Sequence, residues 1–431
     1  MSLFDRPSET LTREALRDLQ TGKLTALLEG VFEHNRFYTD KMRSAGVIPG
    51  DIRSLEDMKR LPTTTKLELV DAAEADPPLG TNATFPETAY TRIHQTSGTT
   101  GKSLKVVDTA ESWNWWGRCW GYVLSGAGLT ARDRLFVPFS FGPFIGFWAA
   151  VEGAKRIGAL MVPGGGATSI QRTHLMGEHA VTAMCCTPTY ALRLATVARS
   201  EGVDPASLPL RSIVTAGEPG GNVPAIKQRI EEAWGAKVFD HAGASEVGAH
   251  SFECEPQPGG THAIETEFIV EVLEVSTDDP VVPGETGELV ITGLGRPGFP
   301  AIRYRTGDMV RLNIEPCVCG RTFVRFEGGV LGRADDMVIV RGVNLFPDAI
   351  ESLVHRVEAV EEYQITVAKG TDLARLAVSI EVAEGADPDD TRALVTKSIQ
   401  NALGLSPVVT VEPLESLPRF ELKARRFHVV D

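Results

Sequence analysis

Apolar residues recur along the chain with two spacings, and these spacings divide it into helical and strand-like segments. A spacing of three or four residues predicts helices, at 14–19, 24–32, 189–199 and 223–234. Short apolar runs predict strands between the later helices, at 135–137, 159–162, 181–186, 212–215 and 237–239. This alternation predicts an α/β fold whose mainly parallel sheet is flanked by helices.

The pattern changes beyond residue 262, where strands dominate. Alternating residues at 268–272 and 287–292 predict a β-rich, mainly antiparallel subdomain at about 250–331. The remaining residues show a mixed pattern, with helices predicted at 347–356 and 390–403. We therefore expect a large N-terminal domain at 1–334 and a small α+β C-terminal domain at 335–431.

Composition narrows the class of protein. The 431 residues are 42% hydrophobic and carry a net charge of −14, which argues against a nucleic-acid partner. The N-terminus lacks a signal-peptide pattern, and the longest uncharged run (135–151) is broken by glycines and prolines, so we expect no membrane partner. Six cysteines do not suggest a disulfide framework, which favours a cytoplasmic location. A homodimer is compatible with the sequence but is not indicated by it.

Candidate chemistry begins with a loop of glycines and hydroxyl residues at 95–103, between two strand-like segments. Its backbone N–H groups and short donors suit a phosphate. It is not a Walker A loop, since Thr96 stands where that motif needs glycine. An ordinary polar hairpin is the alternative. Two further loops, 216–221 and 240–246, follow predicted strands at the sheet edge where ligands bind in α/β folds.

Taken in order, five motifs resemble the AMP-forming acyl-CoA ligase superfamily, within it the phenylacetate-CoA ligase branch. They are the 95–103 loop, Gly217-Glu218-Pro219, Ser245-Glu246, the segment 304–308 and the segment 417–426. The resemblance covers nearly the whole chain. It implies an enzyme that joins a carboxylic acid to AMP from ATP, releases pyrophosphate, and passes the acyl group to coenzyme A.

The resemblance also implies roles for individual residues in nucleotide binding. The β- and γ-phosphates of ATP would bind Ser97, Gly98, Thr99, Thr100, Gly101 and Lys102. The adenine pocket would be lined by Gly217, Glu218, Pro219, His241, Ala242 and Gly243. Ser245 would contact the α-phosphate and Glu246 would hold Mg²⁺, although a Ser-Glu pair is equally typical of a helix cap.

Asp308 matches the family's ribose-binding residue, with Arg333 beside it; a surface salt bridge between strands is the alternative. The chain departs from the family near the adenine site, where Ala242 replaces a common tyrosine. Stacking on adenine from that position is therefore lost. His241 either compensates for it or simply caps the loop.

The C-terminal motif contains the implied catalytic residue, Lys423, which would contact the carboxylate and the α-phosphate during adenylation. Asp335 matches the family's hinge, about which the C-terminal domain would turn to bring Arg341 and its loop to the site. Leu422 and Phe420 depart from the family pattern, so the geometry of the lysine loop is open. A solvated basic tail is the alternative.

The acid pocket is predicted from an aromatic run, with Phe139, Phe141, Phe144 and Gly243 as its expected lining. Flat aromatic walls favour a small aryl acid such as benzoate, anthranilate or phenylacetate. The same aromatics could instead fill the core. A short aliphatic or hydroxy acid, or a carrier protein in place of free coenzyme A, remains the alternative reading of the substrates.

Four residues suggest a metal site. Cys317 and Cys319 form a Cys-x-Cys pair on a tight turn, and Cys254 and His262 lie upstream, with His250 as a substitute ligand. Three thiolates and one imidazole can close a tetrahedral site. Some members of the branch show a similar arrangement, so we expect structural Zn²⁺; free buried thiols are the alternative.

Overall fold

The computed structural model describes residues 3–48, 50–96, 103–334, 338–340, 343–345, 347–368, 375–420 and 426–430. Helices in these ranges are α1 Arg6–Glu9, α2 Arg13–His34, α3 Arg36–Ser44, α4 Lys66–Ala75, α5 Ala110–Gly126, α6 Trp148–Ile157, α7 Ser169–Glu178, α8 Pro188–Ser200, α9 Pro224–Trp234, α10 Pro347–His355 and α11 Pro388–Leu403. None of them is long and apolar enough to cross a membrane.

The strands fall into a large sheet, two hairpins and a small sheet near the C-terminus. They are β1 Tyr90–Gln95, β2 Lys105–Thr109, β3 Arg134–Val137, β4 Leu160–Pro163, β5 Ala183–Cys186, β6 Ser212–Thr215, β7 Lys237–Ala244, β8 Gly248–Glu253, β9 Gly260–Ala263, β10 Phe268–Leu273, β11 Thr286–Gly293, β12 Tyr304–Asn313, β13 Arg325–Glu327, β14 Gly332–Arg333, β15 Val338–Val340, β16 Val343–Leu345, β17 Val360–Ala368, β18 Arg375–Val382, β19 Val408–Glu412 and β20 Phe427–Val430.

The large sheet has 12 strands in the order β10-β11-β12-β13-β9-β8-β7-β6-β5-β3-β4, with β14 beside β12. Strands β3 to β7 pair in parallel, and the rest pair antiparallel. The predicted α/β fold with a mainly parallel region is therefore confirmed. The β-rich region continues this same sheet.

Strand β7 joins the parallel and antiparallel regions. Its first half pairs in parallel with β6, from Ser212↔Lys237 to Thr215↔Asp240. Its second half pairs antiparallel with β8, beginning at His241↔Phe252. The strand predicted to end at residue 239 therefore extends to Ala244, because a second partner satisfies its backbone groups beyond the end of β6.

Helices cover both faces of the parallel strands. The neighbouring residues Cys185 and Cys186 of β5 lie in two different apolar clusters. One cluster contains Trp116 and Trp120 of α5, and the other contains Trp234 of α9. The two cysteines therefore face opposite sides of the sheet, as the two-residue period of a strand requires.

One long helix replaces the two helices predicted near the N-terminus. Helix α2 runs from Arg13 to His34 without a break at Gly22. A glycine inside a helix costs only about 1 kcal/mol relative to alanine. The burial of Leu16, Leu24 and Val31 along one face outweighs that cost.

The C-terminal region forms its own unit, with the sheet order β19-β18-β17-β20. Helices α10 and α11 contribute to its core, in which Val354, Ile365, Ile380 and Ile399 are fully buried. The predicted mixed α+β pattern is confirmed here.

Candidate active site

The loop after β6 contains the predicted adenine residues Gly217, Glu218 and Pro219. Gly217 adopts a left-handed backbone with φ of 94°, which glycine tolerates without strain. Oε1 of Glu218 accepts a hydrogen bond from the backbone N–H of Thr189, 2.7 Å away, in the first turn of α8. A carboxylate is favourable at a helix N-terminus, so this bond anchors the loop against α8.

Asp240 lies at the point where β7 passes from β6 to β8. It begins the predicted 240–246 loop, although no role was predicted for its own side chain. A Cβ atom added at Gly221 would come within 2.8 Å of its Oδ1, and one added at Gly329 within 2.8 Å of its Oδ2. Burial, helped by the charge of Glu253, raises the pKa of Asp240 to about 7 although Lys227 opposes the shift. Two loops therefore pack against a carboxyl group whose pKa is unusually high.

Glu246 is 5% exposed and is held by residues from two other elements. The hydroxyl of Tyr304 donates to its Oε1 at 2.6 Å, and Nζ of Lys66 lies 3.6 Å from the same oxygen. Burial and the neighbouring Glu246 raise the pKa of Tyr304 well above its usual value, so the phenol remains a donor. Both of these contacts go to the same oxygen, Oε1.

A buried ion pair supports the loop that carries Ser245 and Glu246. Arg296 donates two hydrogen bonds of 2.8 Å to Asp108, and both side chains are almost fully buried. A third hydrogen bond, of 2.7 Å, runs from Arg296 Nη1 to the carbonyl oxygen of Ser245. Because breaking such a pair would leave a buried charge, it fixes the loop relative to β2.

Asp308 and Arg333 face each other across the β12–β14 pair. Nη1 of Arg333 lies 3.0 Å from Oδ1 of Asp308 and also donates to the carbonyl of Thr306 at 2.7 Å. Gly307, with φ of 74°, leaves room for the guanidinium, since a Cβ there would lie 2.6 Å from Arg333 Nη2. The predicted neighbourhood of the two residues is present, and so is the salt bridge considered as its alternative.

The three predicted residues at the end of β7 have different environments. The ring of His241 packs edge-on against Trp120, with centroids 4.6 Å apart, and its Nδ1 donates to the carbonyl of Ser251 at 2.7 Å. Ala242 pairs with Ser251 across to β8. Gly243 has no room for a side chain, because a Cβ would lie 2.8 Å from the carbonyl oxygen of Gly248.

The predicted acid-pocket aromatics form a partly buried cluster. The rings of Phe139 and Phe141 lie 5.5 Å apart, and Phe147 lies 5.7 Å from Phe139. Phe147 is 5% exposed and belongs to the core, and its other neighbour is Trp120 at 5.9 Å. Phe139, Phe141 and Phe144 are each half-buried, and Phe144 has no ring partner among the described residues.

Cys254, His262, Cys317 and Cys319 come together as predicted, with all four ligand atoms within 4.8 Å of one another. Sγ of Cys254 lies 3.7 Å from Sγ of Cys317, and Sγ of Cys319 lies 3.4 Å from Nε2 of His262. Nδ1 of His262 donates to the carbonyl of Phe323 at 3.1 Å, so Nε2 is left for the cluster. His250, the substitute ligand, is outside this group.

Protonation within the cluster is uneven. Hydrogen bonding to Cys254 and His262 lowers the pKa of Cys319 strongly although burial opposes the shift, whereas the same contact with Cys319, together with burial, raises the pKa of Cys254. Burial alone would lower the pKa of His262, but its contacts with Cys317 and Cys319 raise it. A thiolate beside an imidazole is the donor chemistry that Zn²⁺ prefers.

Glu381 of β18 holds the segment that leads toward Lys423. Its carboxylate accepts hydrogen bonds from the backbone N–H groups of Glu415 and Leu417, at 3.0 and 2.6 Å, and from the guanidinium of Arg419. The side chain is fully buried. Burial opposes the shift, but these bonds lower the pKa of Glu381, so it stays ionised and bound to the segment.

Several predicted residues lie outside the described ranges. They are Ser97, Gly98, Thr99, Thr100, Gly101, Lys102, Asp335, Arg341 and Lys423. The flanks of the first loop are described: β1 and β2 form an antiparallel hairpin in which Gln95 pairs with Lys105. The predicted strand–loop–strand arrangement is confirmed on both sides of the loop.

Two family models match the chain. The description "AMP-binding enzyme" matches residues 50–295, and "AMP-binding enzyme C-terminal domain" matches residues 342–431. A phenylacetate–coenzyme A ligase of Thermus thermophilus is 36% identical over 385 residues, covering 89% of this chain and 85% of the relative. A phenylacetate–coenzyme A ligase of Escherichia coli is 33% identical over 430 residues, covering 97% and 96%.

Solved structures of 2-hydroxyisobutyryl-CoA ligase, 29% identical, superpose on 99% of this chain. The TM-score is 0.94 for a postadenylation state, in which this chain covers 92% of that structure. It is 0.76 for an open conformation and 0.75 for the thioesterification state. The matched models, the full-length relatives and the shared fold lead to one conclusion: the chain belongs to the AMP-binding enzyme family, as an AMP-forming acid–CoA ligase of the phenylacetate–CoA ligase type.

Proposed function

We propose that the enzyme activates a small aryl acid of the benzoate, anthranilate or phenylacetate type. One observation carries this choice: Trp120 contacts Phe147 on one side and His241 on the other, so the aromatic cluster adjoins the loop that ends β7. The rings of Phe139 and Phe141, each half-buried, would pack against the aryl ring. Gly243, near the end of β7, would border the acid.

In the adenylation step, residues from separate elements would orient ATP. Residues 97–102 would hold the β- and γ-phosphates through backbone N–H groups and Lys102. Ser245 would donate to the α-phosphate, and Asp308 would accept from the ribose hydroxyls. Asp240, next to the 216–221 loop, would accept a hydrogen bond from the adenine amino group. Glu218 and Pro219 would line the adenine ring.

Glu246 would hold Mg²⁺, with Tyr304 fixing one carboxylate oxygen at 2.6 Å and leaving the other for the cation. Bound Mg²⁺ would neutralise phosphate oxygens during the transfer. Lys66, 3.6 Å from Glu246, would add positive charge at the same place. A carboxylate presented only in part to water, with two supporting donors, fits a hard cation that prefers oxygen ligands.

Lys423 would stabilise the negative charge that develops as the carboxylate attacks the α-phosphate. The C-terminal domain would then turn about Asp335 and bring Arg341 toward coenzyme A, whose thiol attacks the acyl-adenylate and releases AMP. Lys423→Ala is therefore expected to abolish carboxylate-dependent exchange of pyrophosphate into ATP and to spare thioester formation from supplied acyl-adenylate. Equal loss of both half-reactions would contradict the role.

An acid panel assayed by pyrophosphate release tests the choice of substrate. Phenylacetate, benzoate and anthranilate should give the highest kcat/KM values if the aromatic cluster binds the acid. The second candidate is a 2-hydroxy acid, favoured by the superposition on 2-hydroxyisobutyryl-CoA ligase with a TM-score of 0.94. Highest activity with 2-hydroxyisobutyrate would select it. Parallel assays with coenzyme A and an acyl carrier protein identify the acceptor.

We also propose that Cys254, His262, Cys317 and Cys319 bind structural Zn²⁺. A tetrahedral site with metal–sulfur distances of about 2.3 Å has sulfur–sulfur edges of about 3.8 Å, and the Cys254–Cys317 distance is 3.7 Å. The bond from His262 Nδ1 to a carbonyl is the usual support of a metal-ligating imidazole. Four protein ligands leave no open position, so the metal would hold β8, β9 and the 317–319 turn together.

All six cysteines are free of disulfides, which fits a reducing compartment, and we propose a cytoplasmic location.

A further inference from the structure

The N-terminal and C-terminal units meet at a cleft of about 160 Å³. One wall is formed by α8, α9 and the 218–219 part of the predicted adenine loop; the other by α10, β17 and the segment after β19. Several arginines and glutamates line it, so the contact between the two units is polar. Separating a polar interface of this kind costs less free energy than separating an apolar one. Such an interface suits two units that move relative to each other.

A chain of hydrogen bonds crosses the cleft. Nη1 of Arg229, on α9, lies 2.8 Å from Nδ1 of His355, the last residue of α10. Nε2 of His355 lies 3.0 Å from the hydroxyl of Tyr363, which donates to Glu351 at 2.9 Å. The chain therefore links one residue of the N-terminal unit to three of the C-terminal unit.

The direction of every hydrogen in this chain follows from its two ends. A guanidinium can only donate, so Nδ1 of His355 must accept and carries no proton. The proton of the neutral ring is then on Nε2 and is donated to the Tyr363 oxygen, whose own proton goes to Glu351. The chain holds only when His355 is neutral, because a proton on Nδ1 would face the Arg229 cation.

The surroundings of the chain keep the imidazole in that form. His355 is 9% exposed and Tyr363 is 3% exposed. Burial, with the charges of Arg229 and Arg426, lowers the pKa of His355 well below its usual value. Arg426 itself binds Glu362 and reaches toward Thr189 Oγ1 across the cleft at 3.4 Å, a weaker second contact. The hydrogen-bond geometry and the lowered pKa of His355 therefore both indicate a neutral imidazole.

The arrangement of the two units identifies the state to which this contact belongs. The whole polypeptide superposes more closely on 2-hydroxyisobutyryl-CoA ligase in the postadenylation state than on the same enzyme in its open or thioesterification states. Sequence identity is 29% in each case, so the difference between these structures lies in the arrangement of their parts. The Arg229–His355 contact is therefore found in a polypeptide that superposes better on the postadenylation state than on the other two states.

We propose that Arg229 and His355 are positioning residues that form a latch between the two units and favour the arrangement used for adenylation. The latch rests on the proposed two-step function, in which the C-terminal unit must leave this position before coenzyme A reacts. Among the described residues, the side chain of Arg229 donates to His355, which belongs to neither the predicted ATP site nor the predicted acid site. Substituting Arg229 should therefore change the fraction of molecules in this arrangement. It should change the rate of adenylation only through that fraction.

Spin labels measure this population directly. Labels on Glu201→Cys, after α8, and on Lys397→Cys, in α11, would report the distance between the units, and both positions are exposed whereas all six native cysteines are buried. We expect Arg229→Gln to lower the ratio of latched to unlatched protein about tenfold, the size of one charge-assisted hydrogen bond. Arg229→Lys, which keeps a positively charged donor, should recover part of it.

The matched control is Arg193→Gln, which removes another arginine of the same cleft. Within the described ranges Arg193 makes no hydrogen bond to the C-terminal unit, so its substitution should leave the distance distribution unchanged. An Arg229→Gln distribution equal to that of the wild type would overturn the proposal, as would an equal shift in Arg193→Gln.

Half-reaction assays provide the functional readout. Arg229→Gln should slow pyrophosphate exchange while thioester formation from supplied acyl-adenylate and coenzyme A stays the same or rises. Equal slowing of both half-reactions would mean a general structural defect and would overturn the latch. If the wild-type enzyme catalyses neither half-reaction, the proposed function fails, whereas the label distances still decide whether Arg229 holds the units together.

Discussion

Replacing Asp240 by asparagine should change how the stability of the enzyme depends on pH. The pKa of Asp240 is raised from 3.8 to about 7, mainly by burial. A shift of about three units corresponds to at most about 4 kcal/mol of unfolding free energy. That is a large part of the 5–15 kcal/mol by which protein domains are typically stable, so the effect is measurable.

The sign follows from proton binding. Between pH 4 and pH 7 the unfolded chain ionises Asp240 while the native protein keeps it protonated, so the native protein binds more protons and its stability falls as pH rises. Asparagine does not titrate. The unfolding free energy of Asp240→Asn, minus that of the wild type, should therefore rise by about 2–3 kcal/mol from pH 5 to pH 7 and level off above pH 8.

Urea unfolding followed by tryptophan fluorescence is the assay. All six tryptophans lie between residues 113 and 234, so the signal reports the region that contains Asp240. Asp71→Asn, at an exposed position of α4, controls for the loss of one negative charge. A difference between Asp240→Asn and the wild type that stays constant from pH 5 to pH 8 would refute a buried, proton-holding carboxyl group.

Three further substitutions test other parts of the site. Tyr304→Phe removes the donor to Glu246, and adenylation should fall about tenfold and need more Mg²⁺; an unchanged Mg²⁺ dependence would contradict this. Cys319→Ser should reduce the zinc content, which we expect to be one ion per native chain by metal analysis, and lower the melting temperature; zinc-free native protein would rule the site out. Glu381→Gln should slow adenylation more than thioester formation, because the segment leading to Lys423 loses its anchor; equal effects would argue against that anchoring role.

Local pattern was enough to predict most elements of the large sheet. The strand at 212–215 has the predicted bounds, because four buried residues between polar loops leave little choice of register. The extent of β7 could not be predicted in the same way. Its last residues are polar and small, and they form a strand only because β8 pairs with them.

The same distinction applies to the candidate site: residues in local motifs could be predicted, and residues with distant partners could not. Motifs of consecutive residues located Glu246 and Asp308, and the Cys-x-Cys spacing led to the cluster of three cysteines and His262. Supporting residues were missed when their partners are distant in sequence. Arg296 lies 188 positions from Asp108, and no spacing or periodicity connects the two. Such contacts become visible only once the fold brings the elements together.

Contacts between the first helices and the region around Cys317 and Cys319 have a consequence for biosynthesis. Glu9 of α1 forms a buried ion pair with Arg321, and Arg13 of α2 lies 2.8 Å from Glu265. Leu16, in the same helix as Arg13, is fully buried. Residues of α1 and α2 are therefore synthesised some 250 to 310 positions before these partners. The N-terminal unit would complete its fold late in translation, with α1 and α2 exposed to chaperones until then.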